Sequence, residues 1–313
     1  MVKFSVTIPA FKKEYLAEAI DSVLSQTYEN FELIIVDDCS PEDLKAVVDN
    51  YQDSRIIYFR NEKNCGAVDV VDNWNICLDY CSGDFVICMG DDDRLLPWCL
   101  YEYSLLISKY PSLNVFHAWT QIIDEYGNVK DTLEPRPEIE SFFSLTYFRW
   151  FGRKQYIGDF CFRVSHLKSN NGYYKLPLAW GSDDISAARA ALFGGVANTL
   201  KPCFEYRQSN LTISSGTLYT RIKLESSLDE RKWYKDLLLN VNASILTPSD
   251  KWFYDKIMLN IEHCSMKKMA DEIALDVFSN PLRLFAWLRN CTAFGLSRLF
   301  LFKRLLINLV LKK

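Results

Sequence analysis

Two clusters of aspartates follow two apolar segments early in the chain. Asp37 and Asp38 come directly after FELIIV, and Asp91, Asp92 and Asp93 follow FVICMG. Carboxylates this close repel one another unless a cation or hydrogen-bond donors neutralise them. A run of two or three aspartates is ordinarily a solvated turn or a helix cap. Oxygen ligands of this kind also suit a hard ion such as Mg²⁺ or Mn²⁺, which commonly bridges protein carboxylates to substrate phosphates.

The segments around these clusters have the pattern of alternating strands and helices. A helix predicted over residues 41–51 has Ser40 as its N-cap and Pro41 at its first position. Such alternation implies βαβ units and a mostly parallel sheet, in which ligands bind beyond the carboxyl ends of the strands. Both aspartate clusters are therefore expected at one edge of the sheet. The predicted strands cover residues 3–11, 31–36, 55–59, 85–89 and 114–119.

The rest of the chain has a different organisation. Residues 121–215 lose the alternation and are rich in aromatic residues and turn signals, while helical patterns return after Gly216. These later patterns cover residues 220–240, 248–263 and 265–280, and Pro281 closes the last one. We therefore predict an α/β domain over residues 1–215 and a helical C-terminal extension over residues 216–313.

Composition sets limits on the class of protein. The 313 residues are 49% hydrophobic and 24% charged with a net charge of −4, so nothing indicates a nucleic-acid partner. The ten cysteines form no CxxC pair and no Cys/His cluster spaced for zinc. The N-terminus has no signal-peptide pattern, and dispersed cysteines suit a reducing compartment, so a cytoplasmic location is expected.

The last part of the chain, residues 283–313, is apolar and basic. It carries seven lysines and arginines and no acidic residue. Its longest uncharged stretch near the end is far shorter than the roughly 20 residues that span a bilayer. Such a helix either packs on the domain or lies in the interface of an anionic membrane, and the composition favours the membrane. A peripheral location on the inner face of the cytoplasmic membrane is therefore expected.

The segment SVTIPAFKKEYLAEAIDSVLSQTYENFELIIVDDCSPED resembles the opening of family 2 glycosyltransferases, which are inverting enzymes of the GT-A fold. The likeness continues in NEKNCGAVDVVDNWNICLDYCSGDFVICMGDDDRLLP and in WGSDDISAARAALFGG, and covers roughly residues 3 to 215. The resemblance implies a Rossmann-like, mostly parallel sheet flanked by helices, and makes residues 1–215 the catalytic domain.

The resemblance also assigns nucleotide-binding positions. Asp38 matches the aspartate that hydrogen-bonds the base, typically uracil. Pro9 and Ala10 match positions whose backbone lines the base pocket, and Asp91 matches a position that reaches the ribose in some members. Many members carry another aspartate where this chain has Gly90, which weakens the ribose assignment.

A metal and a phosphate contact are implied as well. Asp92 matches the metal-binding carboxylate of the DxD motif, Asp93 is placed to share the ion, and the implied cofactor is Mn²⁺ or Mg²⁺. An arginine-and-histidine stretch of the family often approaches the diphosphate. Here Arg207 is present, but Ser209 occupies the histidine position.

The resemblance places the catalytic base in GSDD. Asp183 aligns with the base, since the family has a Glu-Asp pair followed six residues later by an arginine, here Arg189. Ser182 replaces the glutamate, and Asp184 supplies a second carboxylate and is the alternative base. The chemistry needs one carboxylate within hydrogen-bond reach of the acceptor hydroxyl.

These features predict transfer of a sugar from a nucleotide-sugar, with UDP favoured, to a hydroxyl of a glycan. A polyprenyl-diphosphate-linked acceptor for a surface polysaccharide follows by family analogy. One alternative is a nucleotidyltransferase, although PAFKKEYL lacks the glycines of a phosphate loop. Another is a non-catalytic module that binds a nucleotide or glycan. The aromatic run over residues 141–156 is expected to be core, with a sugar-stacking platform as the alternative.

Overall fold

A computed structural model describes residues 1–208 and 217–311, except for the side chain of residue 311. Its first part is the expected alternating unit. The strands β1 to β4 run parallel in the order β3-β2-β1-β4, so their carboxyl ends meet at one edge. They are β1 (Phe4–Ala10), β2 (Phe31–Asp37), β3 (Ile56–Arg60) and β4 (Phe85–Cys88).

The second part extends the same sheet with mixed pairing. Within the described residues the sheet has ten strands in the order β3-β2-β1-β4-β9-β6-β10-β5, with β7 on β6 and β8 on β10. The strand β9 lies antiparallel between β4 and β6, which explains the lost alternation beyond residue 121. The added strands are β5 (Arg94–Leu95), β6 (Val115–Ile123), β7 (Val129–Thr132), β8 (Ile139–Glu140), β9 (Phe160–Arg163) and β10 (Val196–Arg207).

Helices cover both faces of the sheet. Successive residues of β2 point to opposite faces, so Leu33 and Ile35 join one hydrophobic cluster while Ile34 and Val36 join the other. The first seven helices are α1 (Leu16–Leu24), α2 (Lys45–Val48), α3 (Val70–Asp79), α4 (Cys99–Lys109), α5 (Phe142–Trp150), α6 (Val164–Ser169) and α7 (Ser182–Ala191). Four more follow, α8 (Thr220–Leu239), α9 (Pro248–Ser279), α10 (Leu284–Asn290) and α11 (Arg298–Leu311).

Two helix predictions are wrong in their extent. The helix predicted over residues 41–51 is only the short α2, because a turn follows β2. Asp37 accepts the backbone N–H of Ser40 at 2.7 Å. The Ser40 hydroxyl donates to the Phe11 carbonyl and accepts the Glu42 N–H at 3.1 Å, but the helix begins only at Lys45. In the extension, the helices predicted over residues 248–263 and 265–280 are one continuous helix, α9.

The C-terminal helices share the core of the sheet domain. Tyr234 of α8 and Ile257 of α9 are buried in the cluster that also contains Ala188 of α7. A third cluster joins Met269 of α9 to Leu301 of α11. One face of the tail, residues 283–313, therefore packs on the rest of the protein. The predicted domain boundary at residue 215 stays a prediction.

Candidate active site

A cavity of about 610 Å³ opens at the carboxyl ends of β1, β2 and β4. Asp38, which follows β2, and Asp91 to Asp93, which follow β4, line it together with Asp183 in the first turn of α7. Side chains that are far apart in the sequence thus meet around one space, as ligand sites do at the ends of parallel strands.

Asp38 is held firmly at one wall of the cavity. Its carboxylate accepts hydrogen bonds from the Asn61 amide and the Cys65 backbone N–H, both at 2.9 Å. Its own N–H donates to the Ala10 carbonyl at 2.9 Å, and Pro9 lines the cavity beside it. The residues predicted to hold the nucleotide base therefore lie together at one wall of the cavity.

The aspartate triplet is neutralised by donors within the protein. Asp91 Oδ2 accepts the backbone N–H groups of Phe11 at 2.8 Å and Lys12 at 2.7 Å. The Lys12 ammonium donates to Asp92 Oδ2 at 2.8 Å, and the Arg207 N–H donates to Asp93 Oδ1 at 2.9 Å. Repulsion among the three carboxylates is thus relieved by one lysine and three backbone donors.

Charge and burial act in opposite directions on these groups. Burial raises the pKa of Asp91, and burial together with the charge of Asp92 raises the pKa of Asp93 well above its usual range. Burial alone would lower the pKa of Lys12, but the charges of Asp91 and Asp92 outweigh it and raise that pKa. Lys12 therefore stays positively charged beside the triplet.

The fit to a divalent ion depends on Asp92. Across residues 1–208 and 217–311, no group of three or more His, Cys, Asp or Glu side chains is arranged to hold a metal ion. Magnesium sites that serve phosphate substrates often use only one or two protein carboxylates, with phosphate oxygens and water completing the shell. Asp92 fits that mode, since its carboxylate is held by the movable Lys12 ammonium, whereas Asp93 is tied to a backbone N–H.

The two aspartates at the start of α7 have different environments. Asp183 is half-buried and lines the cavity. Asp184 is buried, and its Oδ1 accepts hydrogen bonds from Arg149 at 2.5 Å and Gln155 at 2.8 Å. Burial and the charge of Asp184 raise the pKa of Asp183 well above its usual range. For Asp184, burial is outweighed by the charges of Arg149 and Lys268, which lower its pKa to about 2.

The loop before α7 is strained. Leu178 and Ala179 have positive φ angles of 61° and 55°, and both line the cavity. Non-glycine residues in this region cost about 1–3 kcal/mol each, and they cluster at functional sites. The Leu178 N–H donates to the Val68 carbonyl at 2.8 Å, which holds the loop so that Asp183 faces the cavity.

Arg207 does not face the cavity, contrary to the phosphate contact that was expected for it. Its side chain is fully buried and is not among the residues that line the cavity. The guanidinium donates to the Asp92 carbonyl at 2.8 Å, to Glu18 at 2.6 Å and to the carbonyls of Asp124 and Glu125. It therefore braces the turn that carries the triplet. The neighbouring Ser209 lies outside the described residues.

The cavity also contains cations that the sequence patterns did not assign to the site. They are Lys12, Arg149 of α5 and Lys268 of α9. The pair of lysines in PAFKKEYL was visible in the sequence, but nothing in the helical patterns indicated which side chains of α5 and α9 face the site.

Most of the aromatic run over residues 141–156 packs away from the cavity. Its aromatic contribution to the cavity lining is Tyr156, which stacks on Tyr206 with ring centroids 3.7 Å apart. Phe142 is buried, and Trp150 contacts Tyr234 edge-on. Phe143 packs against the same cluster as Phe142, whereas Phe148 and Phe151 are exposed, so the expectation that the run is core holds only in part.

Fold and sequence together define the class of protein. Residues 5–172, more than half of the chain, match the model of glycosyl transferase family 2. The chain therefore belongs to this family, and the sheet flanked by helices is a GT-A fold.

Curated relatives share the N-terminal part of the chain. The chain is 42% identical over 132 residues to the GalNAc(5)-diNAcBac-PP-undecaprenol beta-1,3-glucosyltransferase of Campylobacter jejuni. This match covers 41% of each protein. It is 37% identical over 112 residues to the Escherichia coli UDP-Glc:alpha-D-GlcNAc-diphosphoundecaprenol beta-1,3-glucosyltransferase WfgD. This match covers 36% of the chain and 42% of that protein. The matches thus span less than half the length of these relatives.

Solved structures extend the likeness in fold over most of the chain. Residues 1–349 of S. aureus TarS in complex with UDP-GlcNAc superpose with a TM-score of 0.59 at 18% identity, covering 92% of the chain and 77% of that fragment. The corresponding UDP complex gives a TM-score of 0.55 at 15% identity, with coverage of 97% and 89%. At this identity the likeness supports the fold, including helices after the sheet domain.

Proposed function

We propose that this protein is an inverting glycosyltransferase that transfers a sugar from a UDP-sugar to a hydroxyl of a glycan acceptor in surface-polysaccharide biosynthesis. The observation that carries the proposal is the meeting of Asp38, the aspartate triplet and Asp183 around one cavity. Family membership supports the reaction class, and the UDP-glucose named for WfgD supports the donor class.

The donor is bound at the strand ends. Asp38 receives the uracil N–H, and the backbone of Pro9 and Ala10 lines the base pocket. Asp91 faces the ribose, since both backbone donors engage its Oδ2 and leave Oδ1 at 3.6 Å from the Lys12 ammonium. Asp92, with Asp93 as second candidate, would hold Mn²⁺ or Mg²⁺, which supplies Lewis-acid stabilisation of the departing diphosphate when bound.

Asp183 acts as the general base. Its carboxylate removes the proton of the acceptor hydroxyl while that oxygen attacks the anomeric carbon from the face opposite UDP. The new C–O bond forms as the bond to the diphosphate oxygen breaks, which inverts the anomeric centre. Asp184 is less suited to this role for two reasons. Its Oδ1 is already bound by Arg149, and its low pKa makes its carboxylate a weak proton acceptor.

The proposed acceptor is a polyprenyl-diphosphate-linked glycan at the cytoplasmic membrane. Both curated relatives described above are named for acceptors on diphosphoundecaprenol. No helix in the described part of the chain is long and apolar enough to cross a membrane. Membrane contact is assigned instead to α11, whose outer face exposes Leu299, Phe302 and Leu306 near the exposed Lys303.

UDP release in the presence of a lipid-linked acceptor tests the reaction. Asp183→Asn is expected to lower turnover about 10²–10⁴-fold, the usual contribution of a general base, without weakening UDP binding. Undiminished turnover would remove Asp183 as the base. If the wild type binds UDP but transfers nothing across a panel of lipid-linked acceptors, the chain is a binding module.

Calorimetric titration with UDP tests the metal. Affinity is expected to be higher with Mn²⁺ than with a chelator, and Asp92→Asn is expected to abolish that difference because it removes the proposed ligand. Equal UDP affinity of the wild type under both conditions would remove the ion from the mechanism.

A further inference from the structure

The C-terminal helix α9 contributes a cation to the cavity. Lys268 lies among the cavity-lining residues, although it is nearly a hundred residues beyond the part of the chain that matches the family model. Its side chain is 29% exposed, and its ammonium donates to Glu230 of α8 at 2.9 Å. The Glu230 side chain is only 3% exposed, so Glu230 binds the lysine from the protein interior while Lys268 lines the cavity.

Lys268 lies on the same side of the cavity as the proposed base. The Glu230 carboxyl group closely approaches Gly181, two residues before Asp183. The charge of Lys268 also acts on Asp184, next to Asp183. Lys12, in contrast, is bound to Asp91 and Asp92 on the donor side.

The three cations that line the cavity in the described part of the chain differ in how many hydrogen-bond and ion-pair partners they have. Lys12 is shared by two carboxylates, and Arg149 donates to both Asp184 and the Arg153 carbonyl. A lysine ammonium has three donors, and the contact of Lys268 with Glu230 uses one of them. Burial raises the pKa of Glu230, the charge of Lys268 opposes this rise and the charge of Asp184 adds to it.

The same helix also holds the proposed membrane-binding segment. Three residues after Lys268, Asp271 accepts hydrogen bonds from both Arg304 Nε at 3.0 Å and Nη2 at 2.5 Å. Leu301 of α11 is packed in the cluster that contains Met269 of α9. The surface assigned to the membrane is thus attached to α9 within about one turn of the cavity lysine.

We propose that Lys268 binds the diphosphate of the lipid-linked acceptor. A lipid diphosphate is anchored in the membrane, so its charged group must enter the cavity from the side where α11 is attached. The Trp180 ring lines the same wall, and the ammonium groups of Lys268 and Lys223 lie 5.8 Å and 4.4 Å from its centroid.

Because Lys268 and Asp183 line one cavity, the diphosphate and the reacting hydroxyl of the acceptor would share this space. The inference rests on the proposed function but concerns only its acceptor.

Binding of farnesyl diphosphate to the UDP-saturated protein tests the assignment, with farnesol as the ligand that lacks the diphosphate. Lys268→Gln is expected to weaken farnesyl diphosphate about tenfold or more, because a charge-assisted contact is lost. Lys268→Arg is expected to retain most of the affinity. Lys267→Gln is the matched control, since it removes the same charge from the exposed neighbour on α9.

A structural role of Lys268 gives a different result. Lys268→Gln leaves the buried Glu230 without its lysine, so the double variant Lys268→Gln/Glu230→Gln restores a neutral pair. If the double variant regains affinity for farnesyl diphosphate, Lys268 only supports the fold and the proposal is overturned. Equal affinity in wild type and Lys268→Gln, with UDP binding intact, overturns it as well. Failure of the wild type to bind UDP would instead count against the proposed function.

Discussion

The two adjacent aspartates of α7 show how environment separates identical side chains. Asp183 faces the cavity with a raised pKa, while Asp184 is paired with Arg149 and has a pKa of about 2. Two carboxyl groups whose pKa values are driven apart are a common arrangement at sites of acid–base chemistry. The sequence register favoured Asp183 as the base. The structure places this residue in the cavity lining, and its role as the base stays a proposal.

The pH dependence of turnover follows from this difference. A base must be deprotonated, so turnover is expected to fall as pH decreases through the raised pKa of Asp183. Asp184→Asn removes the neighbouring negative charge that helps raise this pKa. The acid limb of the kcat profile is therefore expected to move to lower pH in Asp184→Asn, measured only where the variant remains folded.

Asp49→Asn is the control for this experiment, because Asp49 is an exposed residue that pairs with Lys45 on α2. Its acid limb should coincide with that of the wild type. An acid limb that stays in place in Asp184→Asn would show that a group other than Asp183 controls turnover.

Residue by residue, the sequence predicted the acidic half of the site and missed the cationic half. The aspartates after β2 and β4 could be found because they follow buried strands, whose ends are fixed by the sheet, whereas Asp183 was found through the family resemblance. Arg149 and Lys268 come from helices, where the side chain that faces a cavity depends on how the helix packs. Arg207 was placed near the phosphates from its position along the chain, but its buried guanidinium is bound to Glu18 and three carbonyls.

Among the elements, strands were predicted better than helix boundaries. Residues 33–36 before Asp37 are apolar throughout because both faces of the strand are buried, and this pattern is typical of a central strand. The turn after it could not be foreseen, because Asp37 is bound by Arg60 and Tyr58, which come from the next strand. Long-range pairs of this kind override local capping signals.

The loop that leads into α7 is the element on which the base depends most directly. Gly181 has φ 95°, and a Cβ at this position would lie 2.9 Å from Glu230 Cδ. Gly181→Ala is therefore expected to displace Glu230 and with it Lys268, lowering both stability and turnover. Positive φ alone costs a non-glycine residue about 1–2 kcal/mol, and the steric conflict is expected to add to this.

Gly295→Ala separates the two contributions. Gly295 also has a positive φ, 73°, but no atom lies within 4 Å of its added Cβ. Chemical denaturation and steady-state kinetics of both variants make the comparison. A Gly181→Ala protein that loses no more stability than Gly295→Ala, and keeps its turnover, would contradict the role of this close approach.

The whole molecule joins the sheet domain and the helical extension through shared clusters. Tyr234 and Ile257 of the extension lie in the same cluster as Ala188 of α7. Composition predicted a helical extension, but it could not predict that the extension supplies part of the cavity wall, because that depends on how α9 packs. A tail that packs on the body and a tail that meets the membrane were alternatives in the sequence. The structure shows packing on one face of α11 and leaves the other face exposed.

Membrane binding can therefore be tested without removing the tail. The triple variant Leu299→Gln/Phe302→Gln/Leu306→Gln changes only the outer face of α11 and keeps the buried Leu301 and Leu305 in place. Co-sedimentation with vesicles containing anionic lipid is expected to be about tenfold weaker or more, since each buried apolar side chain contributes about 1.5–3 kcal/mol. Three exposed apolar residues elsewhere provide the matched control variant, Leu239→Gln/Ile245→Gln/Leu259→Gln.

The electrostatic part of membrane binding is expected to respond to salt and lipid charge. Arg298 and Lys303 are exposed on α11, so binding should weaken on neutral vesicles and at high ionic strength. The control variant should behave as the wild type in every condition. If the α11 variant and the control bind anionic vesicles equally, the outer face of α11 is not a membrane surface. The lipid-linked acceptor must then reach the cavity by a route that does not depend on this helix.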